Sequence, residues 1–174
     1  MVSSATHSTD STAEWVPQLA TQLLARGWML ATAESCTGGL IAGACTDLAG
    51  SSAWLERGFV TYSNAAKTQM LGVDAALIAQ HGAVSEPVAR AMAQGALAHA
   101  QAQVALAVTG VAGPGGGSVD KPVGTVWFAW SVDGHLISEM QHFAGDRAAV
   151  RQATVRHSLQ RLLELLQTPF THNA

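Results

Sequence analysis

Three short segments of this chain carry side chains able to do chemistry. The first is Ala33-Glu34-Ser35-Cys36-Thr37-Gly38-Gly39, which follows the apolar run Trp28-Met29-Leu30-Ala31 and precedes the small-residue stretch Leu40-Ile41-Ala42-Gly43-Ala44. A buried strand ending at nucleophile-capable residues and glycines, then turning into a helix, presents them beside unpaired N–H groups that favour negative charge. That setting suits a nucleophile with an anion hole. The second segment, Tyr62-Ser63-Asn64-Ala65-Ala66-Lys67, holds the chain's one tyrosine and one of its two lysines. With Asn64 as helix N-cap, Lys67 falls at the third helical position, where the helix dipole and partial burial both disfavour an ammonium. A lysine must be neutral to act as a base, and its reference pKa is about 10.4. An isolated lysine reads as an exposed surface residue; beside the only tyrosine, the two readings balance. The third segment, Gly110-Val111-Ala112-Gly113-Pro114-Gly115-Gly116-Gly117-Ser118, follows a buried strand. Its glycines let backbone approach a ligand closely. It matches neither a Walker A loop nor GxGxxG, and by composition alone it reads as a flexible surface loop.

Each of these residues also has an ordinary structural reading. Ser35 would serve as a helix cap or loop hydrogen-bonder, Cys36 as a small buried hydrophobe, and Glu34 as a loop cap or ion-pair partner. Lys121 reads as an anion contact or an exposed cation. No GxSxG nucleophile elbow is present. The seven histidines form neither HExxH nor HxxxH, so the sequence supports no metal site and calls for no cofactor.

Positioning these segments requires alternating helices and strands. Glu14 to Arg26 reads as a helix closed by Gly27, with Pro17 in its first turn. Trp28 to Ala33 reads as a buried strand, Gly38 to Ala49 as a small-residue helix, and Phe59 to Ser63 as a strand. Short helices follow from Asn64 to Leu71 and from Asp74 to Gln80. Ser85-Glu86-Pro87 starts a helix running to about Gln101. Val104 to Val108 has the continuous apolar character of a strand buried on both faces. Asp133-Gly134 joins strands Val123 to Val132 and His135 to Phe143 as a hairpin. Asp146 caps a last helix whose apolar face carries Val155, Leu159, Leu162, Leu163 and Leu166. Its arginines, Arg147, Arg151, Arg156 and Arg161, read as a solvated face. The pattern predicts a single three-layer α/β/α domain over residues 13–167, with a mixed sheet including one antiparallel hairpin, an N-terminal tail over 1–12 and a C-terminal tail over 168–174.

Composition bounds the function classes. At 174 residues, with 48% hydrophobic and 12% charged residues, the chain reads as one globular domain. A net charge of -3 with no Lys/Arg cluster argues against nucleic-acid binding. No apolar run approaches membrane-spanning length, and the N-terminus lacks a signal peptide pattern. Two cysteines, Cys36 and Cys45, form no framework, which fits a reducing cytoplasm.

Thr32 to Gly39, Gly50-Ser51-Ser52, Gly58 to Val73, His81 to Ser85, Thr109 to Gly116, Lys121 to Val126 and Phe143 to Arg147 together resemble the CinA C-terminal domain family of nicotinamide-nucleotide amidohydrolases. The resemblance covers about Trp15 to Leu166, in the form lacking the additional N-terminal domain that some members carry. It implies hydrolysis of the carboxamide of nicotinamide mononucleotide, giving nicotinic acid mononucleotide and ammonia, by a cytoplasmic homodimer in pyridine nucleotide salvage. With that reaction, Ser35 is expected to attack, Lys67 to move the proton and Tyr62 to orient or relay between them. Backbone N–H groups of Cys36, Thr37, Gly38 and Gly39, beside Glu34, would hold the oxyanion. Thr109, Gly110, Gly113, Gly115 and Gly116, with Arg147, would hold ribose and phosphate. Ser52 and Cys36 stand as alternative nucleophiles. The competing reading is a non-catalytic pyridine-nucleotide-binding module serving a competence or DNA-damage response.

Overall fold

Successive strand residues point to opposite faces, and in this chain they differ in size: Leu30-Ala31-Thr32-Ala33, Val104-Ala105-Leu106-Ala107-Val108 and Phe128-Ala129-Trp130 all alternate large with small. This alternation sorts the helices. In the computed structural model, which describes residues 12–168 and 170, the large side chains face α1 (Thr12–Arg26), α2 (Leu40–Thr46) and α6 (Arg147–Gln167). The alanines face α3 (Asn64–Leu71), α4 (Ala75–His81) and α5 (Glu86–Ala98). Between the helical layers lies a sheet of β1 (Leu30–Glu34), β2 (Leu55–Val60), β3 (Val104–Gly110), β4 (Thr125–Val132) and β5 (His135–His142), in the order β2-β1-β3-β4-β5. Strands β2, β1 and β3 are parallel, while β4 and β5 are antiparallel to their neighbours. This is the three-layer α/β architecture with a mixed sheet that the sequence predicts.

Glu34 pairs with Val60 on one side and Val108 on the other, so β1 and β2 end together and β3 runs two residues further, to Gly110. Chain order reverses between β1 and β3, and such a switch point opens a crevice at the carboxyl ends of the strands. Asp133 and Gly134 take φ of 49° and 78°, the two left-handed residues of a type I′ hairpin.

Several boundaries differ from expectation. α1 begins at Thr12, inside the predicted tail, which places Pro17 in the second turn. The remainder of that tail, residues 1–11, lies outside the described residues, as do 169 and 171–174. Phe170, in the predicted C-terminal tail, stacks on His135 with ring centroids 4.2 Å apart. β2 starts at Leu55 and ends at Val60, because Leu30 N–H donates to Trp54 O and draws that segment into the sheet. α5 stops at Ala98, and β4 starts at Thr125. No helix among the described residues is long and apolar enough to cross a membrane.

The alanine-lined face lets α5 lie close to the sheet, and Gly95 extends that closeness to α3. A methyl added at Gly95 would sit 2.1 Å from Leu71 O, a backbone atom that cannot rotate away. Gly95→Ala is therefore expected to destabilise the fold by about 3 kcal/mol, the upper part of the overpacking range. Urea unfolding measures this; an unchanged midpoint would mean that α3 is not held by this contact.

Candidate active site

The segment after β1 is a tight turn held from both sides. Ser35 N–H donates to Val108 O at 3.1 Å, extending β1–β3 pairing by one residue, and Gly38 N–H donates to Ser35 O at 3.1 Å. Gly38 and Gly39 take φ of 60° and 102°, conformations that side chains disfavour. Helix α2 thus begins at Leu40, two residues later than predicted. Alternation along the chain sends Glu34 towards α2 and Ser35 towards α3.

Glu34 is fully buried and supports the turn from within. Its carboxylate accepts from Thr37 Oγ1 at 2.6 Å, Ile41 N at 2.8 Å and Ala42 N at 3.0 Å. It caps α2 from the preceding strand, where its charge meets the helix's positive end. Glu34 is therefore a cap rather than an oxyanion contact, since a buried carboxylate would repel developing negative charge. Thr37 is likewise fully buried, with its hydroxyl spent on Glu34.

Lys67 approaches from α3. Ser63, not Asn64, is the N-cap: its Oγ accepts from Ala66 N at 3.0 Å, which moves Lys67 to the fourth helical position. The side chain is 1% exposed. Nζ lies 2.8 Å from Thr61 O and 3.0 Å from Ser35 Oγ. Both partners are neutral, and an ammonium buried without a countercharge is strongly disfavoured. Burial accordingly lowers the Lys67 pKa from its ordinary value, with nearby Cys36 opposing the shift. Nζ donates to Thr61 O and to Ser35 Oγ, and in its neutral form the amine can instead offer its lone pair to the Ser35 hydroxyl.

The adjacent thiol has a different setting. Burial pushes Cys36 up to about 11 and Cys45 up to about 12, so both remain thiols at neutral pH. The thiolate is the reactive form of cysteine, so Cys36 is poorly prepared as the nucleophile. Ser52 lies in a 3-10 turn, Ser51–Ala53, immediately before β2. Since Leu30 pairs with Leu55, that turn is at the opposite end of β1 from Ser35, about 15 Å away at strand rise. Within one chain Ser52 is not part of this site.

Ser35, Cys36, Tyr62, Lys67, Thr109, Gly110 and Arg147 line one cavity of ≈ 250 Å³. Tyr62 is at its rim, 61% exposed, with its hydroxyl accepting from Arg147 at 2.9 Å. Ser35 and Lys67 meet directly, so the expected tyrosine relay between them is not the arrangement found. Arg147 also donates to Gly113 O at 2.9 Å, tying the glycine loop to the same rim. Gly115 and Gly116 are exposed and do not line the cavity. Thr109 is buried, and its hydroxyl donates to Ala83 O at 2.9 Å. Lys121 is not directed at an anion: its Nζ donates to His81 O at 2.7 Å, securing the loop to the end of α4.

Asn64, Ala83, Val84 and Ala112 also line the cavity and were not singled out by side-chain chemistry. The arginines of α6 are not simply a solvated face. Arg147 reaches the cavity, and Arg151 donates to the carbonyls of Cys36 and Thr37, at 3.1 and 3.3 Å. Their spacing of one helical turn was the available signal, since residues i and i+4 share a face.

Of the expected oxyanion donors, Gly38 N–H is already taken by Ser35 O. The N–H groups of Cys36, Thr37 and Gly39 make no backbone–backbone hydrogen bond among the described residues, and that of Cys36 lies on the peptide next to the Ser35 side chain. Ser35 Oγ and the buried Lys67 Nζ thus meet inside a cavity at the strand-end crevice, beside the backbone N–H groups of the turn.

Comparison with known proteins agrees with this architecture. Residues 12–166 match the CinA C-terminal domain, and the chain belongs to that family. Among curated relatives, nicotinamide-nucleotide amidohydrolase PncC of Enterobacter agglomerans is 56% identical over 147 residues, 84% of this chain and 90% of that protein. The protein of the same name from Escherichia coli K12 is 57% identical over 146 residues, 83% of this chain and 88% of its own length. A crystal structure of competence/damage inducible protein CihA from Agrobacterium tumefaciens superposes with a TM-score of 0.86 at 48% identity, covering 91% of this chain and 96% of that one.

Proposed function

We propose that this chain hydrolyses the carboxamide of nicotinamide mononucleotide to nicotinic acid mononucleotide and ammonia, with Ser35 as nucleophile and Lys67 as base. The observation that carries the mechanism is the 3.0 Å contact between buried Lys67 Nζ and Ser35 Oγ. The substrate rests on what the PncC relatives are named for.

In this mechanism Ser35 Oγ attacks the carboxamide carbon while Lys67 takes its proton. The oxyanion of the tetrahedral intermediate accepts from Cys36 N–H. Lys67 then protonates the departing ammonia, leaving an acyl group on Ser35. Water, deprotonated by the same amine, releases the carboxylate product. Thr61 O holds Nζ throughout, so the base keeps its place between steps. Arg147 supplies the positive charge at the rim for the phosphate, with Thr109 and Gly110 shaping the wall beside it and Gly113 O holding the guanidinium. Tyr62 orients Arg147 and borders the entrance. The expected setting is a cytoplasmic homodimer.

The test is ammonia release from nicotinamide mononucleotide by the purified chain, with free nicotinamide as comparator. The nucleotide is expected to turn over at least about 100-fold more efficiently, because binding of the remote phosphate supports the chemical step. Binding of the nucleotide without ammonia release would establish the non-catalytic module instead.

A further inference from the structure

Arg151 reaches the nucleophile turn from behind, on the opposite side from Lys67. Its guanidinium donates to the carbonyls of the two residues that follow Ser35, and Gly38 lies against it. Two features make this contact more than a tether. Arg147 and Arg151 occupy the first two turns of α6, at the helix's positive end and one turn apart. Both the dipole and their mutual repulsion oppose that placement, and local conflicts of this kind concentrate at functional sites.

The second feature is a chain of hydrogen bonds. A trans peptide is planar, with its C=O and N–H directed oppositely. Arg151 donates to Thr37 O, and the N–H of that same peptide, Gly38 N–H, donates to Ser35 O. The N–H of the Ser35–Cys36 peptide therefore points away from Gly38, and it is the turn donor next to the Ser35 side chain. Each donation polarises the next peptide, so a cation at one end strengthens the N–H at the other.

We infer that Arg151 is a positioning residue for the amide hydrolysis, holding and polarising the Cys36 N–H through the hydrogen-bonded peptides of the Ser35 turn. The inference rests on the proposed reaction and adds to it a residue that never touches substrate.

Arg151→Met is expected to lower kcat for nicotinamide mononucleotide by about 10- to 100-fold, somewhat less than loss of an oxyanion donor, while KM changes less than about threefold. Arg151→Lys, which keeps the charge but reaches fewer carbonyls, should recover part of kcat. Arg156→Met, an exposed arginine five residues further along α6, should leave both constants unchanged. Sulfonylation by phenylmethylsulfonyl fluoride provides a readout independent of the nucleotide: the Ser35 Oγ–S bond forms, fluoride leaves, and Lys67 takes the proton. Its rate should fall in Arg151→Met and partly return in Arg151→Lys. If wild type releases no ammonia yet is sulfonylated at Ser35, the substrate assignment fails while the labelling rates still decide the role of Arg151. Equal labelling rates and unchanged kcat in Arg151→Met would overturn the inference. So would a rise in KM with kcat intact. Should Arg151→Met fail to fold, the Lys variant decides: wild-type kcat and labelling rate there would refute the need for the two-carbonyl clamp.

Discussion

Ser35→Ala is expected to lose ammonia release by roughly 10⁴-fold or more, with the protein still folded. Removing the nucleophile of a serine acyl-transfer site removes the covalent route entirely, leaving only what binding and the anion hole supply. The structural effect is small by comparison. Ser35 Oγ contributes one hydrogen bond, and Lys67 Nζ keeps its 2.8 Å contact with Thr61 O in the variant. A net loss of about 1 kcal/mol in stability is expected. The companion Cys36→Ala should retain activity within about tenfold, because burial keeps that thiol protonated and only its backbone N–H is used. Full activity in Ser35→Ala with none in Cys36→Ala would reverse the assignment.

The second large effect is that of Lys67→Met. A positioned base contributes about 10²- to 10⁴-fold, and a loss within that range is expected. Stability should move the other way, because methionine fills similar space without burying an amine that lacks a countercharge. The pH dependence has a definite sign. The folded-state pKa of Lys67 is lowered from 10.5, so between that lowered value and 10.5 the unfolded chain binds more protons than the folded one. Stability contributed by this group therefore rises with pH across the window, and the burial penalty is largest below it. In the proposed mechanism the same deprotonation creates the base, so kcat/KM should rise with pH over its lower limb. Unfolding of wild type and Lys67→Met at neutral pH and near pH 10 reads the linkage. The advantage of the Met variant should be greatest at neutral pH and shrink as pH rises. A gap that widened with pH would mean that the folded state favours the ammonium, and Lys67 could not then be the base.

The two effects separate the roles of neighbouring groups. In the proposed mechanism Ser35 acts on chemistry with little effect on folding, whereas Lys67 trades stability for chemistry. Glu34 stands apart from both. Its three hydrogen bonds build the turn and the start of α2, and no step of the proposed mechanism uses it.

Local pattern accounts for most of the fold. The apolar run of β3, the turn residues Asp133-Gly134, the start at Ser85-Glu86-Pro87 and the one-sided stripe of α6 each depend on interactions within a few residues, so periodicity and turn chemistry reveal them. β2 was misplaced because its early residues, Leu55 to Gly58, are drawn into the sheet by pairing with β1, a partner distant in sequence. The same cause hid the start of α2, whose cap comes from a strand residue across a turn rather than from its own N-cap position.

At the site, residue identity and order were enough to name the side chains available: a serine and cysteine at a strand end, a lysine near the only tyrosine, a glycine-rich loop, and a motif set belonging to one family. They also placed them at the carboxyl ends of strands, because strand-to-helix order requires it. Which of them meet is a matter of long-range packing. It joined Ser35 to Lys67 across 32 positions, put Ser52 at the far end of β1, gave Tyr62 to Arg147, and set Arg151 behind the turn. These choices depend on strand register and on how closely helices pack against the sheet. Such long-range distances are set by the whole core at once, and no window of sequence contains them.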